Sequence, residues 1–181
     1  PYTACGHSTL YTGSVPAIHG ITGNEWWDVL ENREVYCVED DSVEGVGTTA
    51  KAGKMSPRNM FTTTICDVLR LATNFRSKVI GVAFKDRGGI LPAGHSANAA
   101  YWYEPASGKF ITSTYYMKSL PAWAEQFNQR KLPETFMKRG WNTLYPIETY
   151  VQSTADQHPA EGKPLGEEQK DRKDLRGCPH H

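Results

Sequence analysis

The chain has 181 residues, 39% of them hydrophobic, which is enough for one apolar core, and its 20 basic side chains are matched by 20 acidic ones. A formal net charge of zero leaves no electrostatic footprint for nucleic acid or an anionic membrane surface, so any ion chemistry has to come from local clusters. No uninterrupted apolar run approaches a membrane span, which argues against membrane insertion.

The first stretch, from Tyr2 to Asn24, is the densest in chemistry. Thr3 suits an N-cap position, residues 4–12 predict a short helix, and Gly13 is the residue type expected just past a helix end. An anion at Thr3 would then face unpaired backbone N–H groups and the positive end of the helix dipole. A threonine hydroxyl is a weak nucleophile at neutral pH without a base or a metal, and no base stands beside this one in the sequence, so a metal is implied. Ser8, Thr9 and Thr12 fall inside or after the helix, away from its positive end. The chain opens at Pro1 without an initiator Met or a leader, and a nucleophile at a strand-to-helix junction needs a strand before it. The sequence therefore reads as a piece of a longer α/β chain.

After Asn24 and the Glu25-Trp26-Trp27-Asp28 run, Tyr36-Cys37-Val38 predicts a short strand, and the polar, Gly-containing residues 40–53 predict a loop. Ser56 as N-cap and Pro57 at the first helical position predict a helix over residues 57–74, with Met60, Phe61, Ile65, Val68, Leu69 and Ala72 on one face. Residues 78–84 form a continuous apolar run, the pattern of a parallel strand buried on both sides. At its exit stand Lys85, Asp86 and Arg87, followed by Gly88 and Gly89. Lys85 and Arg87, two apart on a regular strand, would point to one side and offer an ammonium and a guanidinium fork to an anion beyond the strand's carboxyl end.

Residues 100–103 and 109–114 predict a β-hairpin that opens a second, antiparallel region, and residues 120–127 a short helix whose Trp123 and Phe127 pair for packing. From Gln152 onward the chain is polar and charged, with a surface run at residues 170–174, and predicts loops or disorder. The four cysteines, Cys5, Cys37, Cys66 and Cys178, lack C-x-x-C spacing; packing is their expected role, and an even count also permits disulfides in an oxidising compartment. The fold class is α/β: part of an open sheet with helices on both faces, plus the start of a smaller antiparallel insert. Residues 1–96 are expected to be part of a catalytic domain, and residues 97–181 an insert or cap-like region with a hairpin, a short helix and a polar tail.

Thr3, Gly6-His7, Thr12-Gly13, Pro16-x-x-His19-Gly20-Ile21 and Asn24 resemble the nucleophile segment of the alkaline phosphatase superfamily. Lys85-Asp86-Arg87, residues 53–59, residues 91–95, residues 110–116 and Tyr145-Pro146-Ile147-Glu148 resemble the phosphate-irrepressible bacterial alkaline phosphatases, within the part of the superfamily that also holds type I phosphodiesterases and nucleotide pyrophosphatases. The resemblance implies a hydrolase of small-molecule phosphate monoesters, working through a phosphothreonine at Thr3. It implies phosphoryl oxygens held by Asn24, Lys85 and Arg87, two Zn2+ in the complete enzyme with Thr3 as one metal contact, and export to the periplasm. The phosphodiesterase branch shares the Thr, the Pro-x-x-His-Gly-Ile turn and the Asn but usually lacks the two cations. A phosphodiesterase or nucleotide pyrophosphatase is thus the alternative, and an inactive fragment a third.

The remaining metal ligands that the resemblance implies are not assignable to this sequence. His7 and His19 belong to the nucleophile motif's packing and turn, His95 to a loop, His158 to the polar tail, and His180 and His181 to the terminus. On this reading the piece alone is inactive and possesses no complete zinc site.

Overall fold

The computed structural model describes residues 2–139 and 143–152, which divide into two compact units, one ending at Gln129 and one beginning at Arg130. In the first unit the order is α1 (Thr3–Thr12), α2 (Pro16–His19), β1 (Glu25–Asp28), β2 (Arg33–Tyr36), β3 (Gly45–Val46), α3 (Ile65–Ala72), β4 (Ile80–Ala83), α4 (Asp86–Ala93), β5 (Ala99–Glu104), β6 (Lys109–Ser113) and α5 (Ala122–Gln129).

α1 ends where expected: Gly13 takes a left-handed conformation at φ 65°, and its N–H bonds the carbonyl of Thr9. Its start differs by one residue from expectation. Tyr2 is the N-cap and Thr3 the first helical residue, so the Thr3 hydroxyl does not cap its own helix. β1 and β2 pair as a separate antiparallel hairpin, and the strand expected over residues 36–38 is displaced, ending at Tyr36. Cys37 and Val38 are buried in the core beyond it.

The main sheet has the order β3-β6-β5-β4, with β4 parallel to β5 and the other pairs antiparallel. It is mixed, and the hairpin expected to open a second region at residue 97 is continuous with β4. β4, β5 and β6 thus share one sheet across residue 96, and the compact units divide between Gln129 and Arg130. Part of the predicted loop over residues 40–53 is also regular, because β3 pairs with β6 and Lys51–Gly53 forms a 3-10 turn.

One face of the sheet carries Ala100, Trp102 and Ile111, packed with Ala4 of α1, Ile90 and Leu91 of α4, and Ile21, Cys37, Val38, Met55 and Met60. On the other face the rings of Tyr101 and Tyr103 in β5 and Phe110 in β6 meet α5, with Tyr101 at 5.2 Å from Trp123 and Phe110 at 5.9 Å from Phe127. Helices therefore cover both faces, and the Trp123 and Phe127 pair packs as expected. β4 is the exception. It is an edge strand, and Ile80, Val82 and Phe84 are exposed on the α5 face, so the expectation of a strand buried on both sides holds only for the Gly81 and Ala83 side, against α4. That contact is close enough that a Cβ on Gly81 would collide with the carbonyl oxygen of Gly89.

The largest correction concerns the helix expected over residues 57–74. Only Ile65–Ala72 is helical. Ser56 is occupied elsewhere, its hydroxyl donating to the buried Asp40 carboxylate at 2.6 Å and accepting from the Arg58 N–H. The Phe61 N–H is spent on the His19 carbonyl. The true start is a reciprocal capping box in which the Thr64 hydroxyl accepts from Asp67 N–H and the Asp67 carboxylate accepts from Thr64 N–H. Asp67 also accepts from His95 N–H, Ser96 N–H and the Ser96 hydroxyl, which turns this polar residue inward. The expected apolar face, Ile65, Val68 and Leu69, faces outward instead.

The second unit holds α6 (Leu132–Met137), which begins after Lys131 at φ 47° and which the sequence reading missed, and a 3-10 turn over Ile147–Thr149. The polar tail from residue 153, with the 170–174 run, Cys178, His158, His180 and His181, lies outside the described residues. Cys5, Cys37 and Cys66 are free thiols, and no helix of the described residues is long and apolar enough to cross a membrane.

Candidate active site

Two helix starts carry the expected site residues. Thr3, exposed at the first turn of α1, is followed by the buried Ala4. The chain reaches Asn24 by way of α2 and the turn after it, which His19 fixes. The His19 ring is fully buried, its Nδ1 accepting from the Ile21 N–H at 3.1 Å, which leaves Nε2 as the donor to the Thr9 hydroxyl, also at 3.1 Å. Burial lowers the His19 pKa despite a backbone hydrogen bond that opposes it, consistent with a neutral ring in a structural role. This is the packing and turn function expected of His19. It delivers Asn24 to the start of α1, where the Asn24 Oδ1 accepts the Ala4 N–H at 3.1 Å.

That bond satisfies one of the four unpaired donors at the helix start and sets the orientation of the amide. With Oδ1 spent on the backbone, the Nδ2 group is left to donate. Asn24 is thus held at the helix N-terminus beside the residue that follows Thr3, a setting suited to an anion.

Lys85 and Arg87 lie at the second helix start, and here the geometry departs from the expected strand. β4 ends at Ala83, Lys85 is the extended N-cap of α4, and Arg87 lies in the helix's first turn, so the same-side argument for a strand fails. Lys85 is exposed while Arg87 is partly buried. Both still leave from the carboxyl end of a parallel strand, where open α/β sheets gather ligands. α1 packs on α4, with the half-buried His7 ring 4.0 Å from where a Cβ on Gly88 would stand.

β2 supplies a link the sequence reading missed. The Cys37 N–H donates to the Asn24 carbonyl at 2.9 Å. The neighbouring Tyr36 phenol donates to Asp86 Oδ1 at 2.5 Å and accepts from Arg87 Nη1 at 2.7 Å, and Asp86 Oδ1 also accepts the Arg87 N–H at 2.6 Å. Burial, then the Asp86 carboxylate, push the Tyr36 phenol well above its ordinary pKa. The Cys37 thiol is pushed up to about 12, by burial first and Asp86 second. Both groups therefore stay protonated across the ordinary pH range. Asp86 stands inside the very motif that was singled out, but nothing in the sequence ties it to a tyrosine fifty positions earlier.

Among the described residues no group of three or more His, Cys, Asp or Glu side chains is placed to hold a metal. Asp86 is engaged by Tyr36 and the backbone, and His95 Nε2 lies 2.8 Å from the Met60 carbonyl. Thr3 offers one oxygen, so a zinc pair does not fit on these residues alone.

The family model for type I phosphodiesterase / nucleotide pyrophosphatase matches residues 1–174. The chain belongs to that family. It is 60% identical over 159 residues to alkaline phosphatase PhoV of Synechococcus elongatus, and 52% identical over 161 residues to alkaline phosphatase PafA of Elizabethkingia meningoseptica, each match covering 88% of this chain. A Myroides odoratus protein named a calcium-transporting ATPase is 61% identical over 155 residues, 86% of the chain. The chain spans under a third of the length of these relatives, 29%, 30% and 28% respectively. The crystal structure of wild-type PafA superposes with a TM-score of 0.85 at 51% identity, covering 93% of this chain and 32% of that one. A PafA variant substituted at one Thr, one Asn, one Lys and one Arg superposes equally well, at 48% identity. The α/β fold expected from the sequence is thus that of an alkaline phosphatase.

Proposed function

We propose that the protein is an alkaline phosphatase that hydrolyses small phosphate monoesters, with Thr3 as the phosphoryl acceptor and Asn24, Lys85 and Arg87 as ligands of the phosphoryl oxygens. The observation that carries this reading is the hydrogen bond from the Ala4 N–H to Asn24 Oδ1, which holds Asn24 at the residue next to Thr3 with its amide N–H2 left to donate. The Thr, Asn, Lys and Arg substituted in the PafA variant match these four residues in type and order, which supports the same assignment.

In the first step the Thr3 Oγ1 attacks phosphorus in line, the bond to the ester oxygen breaks, and the hydroxyl proton leaves with the alcohol. Water then attacks the phosphothreonine, releasing inorganic phosphate and restoring the hydroxyl. Donors aimed at the equatorial oxygens favour the charge distribution of the transition state. A monoester carries more charge than a diester for Lys85 and Arg87 to neutralise, which is the reason to prefer the monoesterase reading to the phosphodiesterase one. We further assign residues 1–129 to the catalytic domain, and two Zn2+ to the complete enzyme, Thr3 contributing one contact and the other ligands coming from outside the described residues. Export to the periplasm belongs to the same proposal.

The test is acid trapping of the full-length protein turning over a 32P-labelled monoester, followed by peptide mapping. Label is expected on Thr3. Within α1, Ser8 is fully buried, Thr9 pairs with His19, and Thr12 donates to the Ser8 carbonyl. Label on any of them overturns the assignment.

A further inference from the structure

Among the described residues the guanidinium of Arg87 is hydrogen-bonded from one corner. Nη1 donates to the Tyr36 hydroxyl, while Nε is buried and has no hydrogen-bond partner among the described residues. A buried guanidinium N–H without an acceptor is costly, so a fold that leaves it unpaired among the described residues is keeping it for a group outside them. Planar geometry makes the Nε and Nη2 edge one of the two forks by which arginine grips a phosphoryl group with paired N–H donors. Tyr36 occupies the corner opposite that edge.

The phenol has one proton, and its direction is settled. Asp86 Oδ1, already holding the Arg87 N–H, accepts it, so the Tyr36 oxygen can only be an acceptor toward Arg87. The ring adds a second contact, lying 5.8 Å below the Arg87 Cζ. Tyr36 in turn is anchored through the next residue, whose N–H bonds the carbonyl of Asn24. One strand end therefore touches both halves of the phosphoryl cradle.

We propose that Tyr36, with its proton directed by Asp86, is a positioning residue that turns the Nε and Nη2 edge of Arg87 toward a phosphoryl group and couples it to Asn24. This rests on the phosphatase reading above. The device selects for the monoester, since the fork it fixes is the one that an extra anionic oxygen would occupy.

Double-mutant kinetics on the full-length protein test it. Tyr36→Phe keeps the ring and removes only the acceptor, and should lower kcat/KM for a monoester by about ten- to a hundredfold, with a much smaller loss on a diester. In an Arg87→Ala background the same change should have little further effect, because there is no guanidinium left to position. Asp86→Asn, which keeps an acceptor for the phenol, should recover most of the activity lost in Asp86→Ala. An undiminished effect of Tyr36→Phe in the Arg87→Ala background, or equal losses on both ester classes, overturns the proposal. If Arg87→Ala itself spares monoester turnover, the phosphatase assignment of Arg87 fails first. If Arg87→Ala is damaging and Tyr36→Phe harmless, only the positioning role is lost. Thermal melts of each variant accompany the kinetics, and a Tyr36→Phe variant that melts like the parent yet keeps full activity counts against the proposal.

Discussion

The Asn24 carboxamide oxygen stands 3.1 Å from the backbone nitrogen of Ala4, the residue directly after the proposed nucleophile. A helix start and a phosphoryl ligand thus share one side chain, and its two ends can be separated experimentally. Asn24→Asp retains an acceptor for the Ala4 N–H while replacing the amide donor with a charge that repels phosphate. Asn24→Ala loses both, at a capping cost of roughly 0.5–2 kcal/mol. The expected result is that Asn24→Asp melts within a few degrees of the parent but loses more kcat/KM than Asn24→Ala. The opposite ranking would leave Asn24 a cap alone.

Lys85 and Arg87 are expected to set ester selectivity. Replacing both with Ala in the full-length protein should reduce kcat/KM for a monoester more than for a diester, by an extra factor of tens or more if each charge-assisted contact is worth roughly 1.5–3 kcal/mol. Because Lys85 is exposed and Arg87 half-buried, the single change at Arg87 should account for the larger share. Equal losses on both substrates would relegate the pair to folding or general binding.

Asp67 should make the fold acid-sensitive. Burial alone would raise its pKa, but hydrogen bonds from Thr64, Ser96 and His95 outweigh that and hold the carboxyl below its usual value. A depressed folded pKa contributes stability that is fully present above the unfolded value, about 3.9, and is lost as pH falls through the lower folded one. Asp67→Ala should cost roughly 1–3 kcal/mol for each buried donor left without water, at neutral pH. Melting the parent and Asp67→Asn between pH 6 and pH 3 checks the sign: the parent's advantage should shrink toward the acid end, and a constant gap would contradict it.

Gly81 is expected to tolerate no side chain. The carbonyl of Gly89 occupies the space a methyl group would need, and its two atoms, the nearest, are backbone with the Ala93 Cβ behind them, so α4 would have to lift from β4. Gly81→Ala should destabilise by roughly 1–3 kcal/mol or more and, by moving the helix that bears Arg87, lower monoester kcat/KM beyond what the fraction unfolded explains. A variant with parental melting and turnover would mean that the helix-to-strand spacing is adjustable.

Local chemistry made much of this protein readable before its structure. The Gly13 stop of α1, the β5 and β6 hairpin, the parallel run of β4 and the candidate residues Thr3, Asn24, Lys85 and Arg87 each follow from signals within a few positions, whether turn residues, apolar alternation or a motif. What the tertiary structure alone decided are the relationships between distant residues. The helix expected from Pro57 begins at Ile65 because Asp40, distant in sequence, claims the Ser56 hydroxyl and because Asp67 has partners at His95 and Ser96. Apolar periodicity located α3's stripe correctly but put it on the wrong side, since five hydrogen bonds to one buried carboxylate outweigh the burial of a few aliphatic side chains. In the same way Lys85 and Arg87 were legible as cations, while the tyrosine that holds one of them sits at the end of β2. Sequence patterns record what a residue does to its own helix or strand, and the contacts that direct a guanidinium or a carboxylate form only when the sheet brings those elements together.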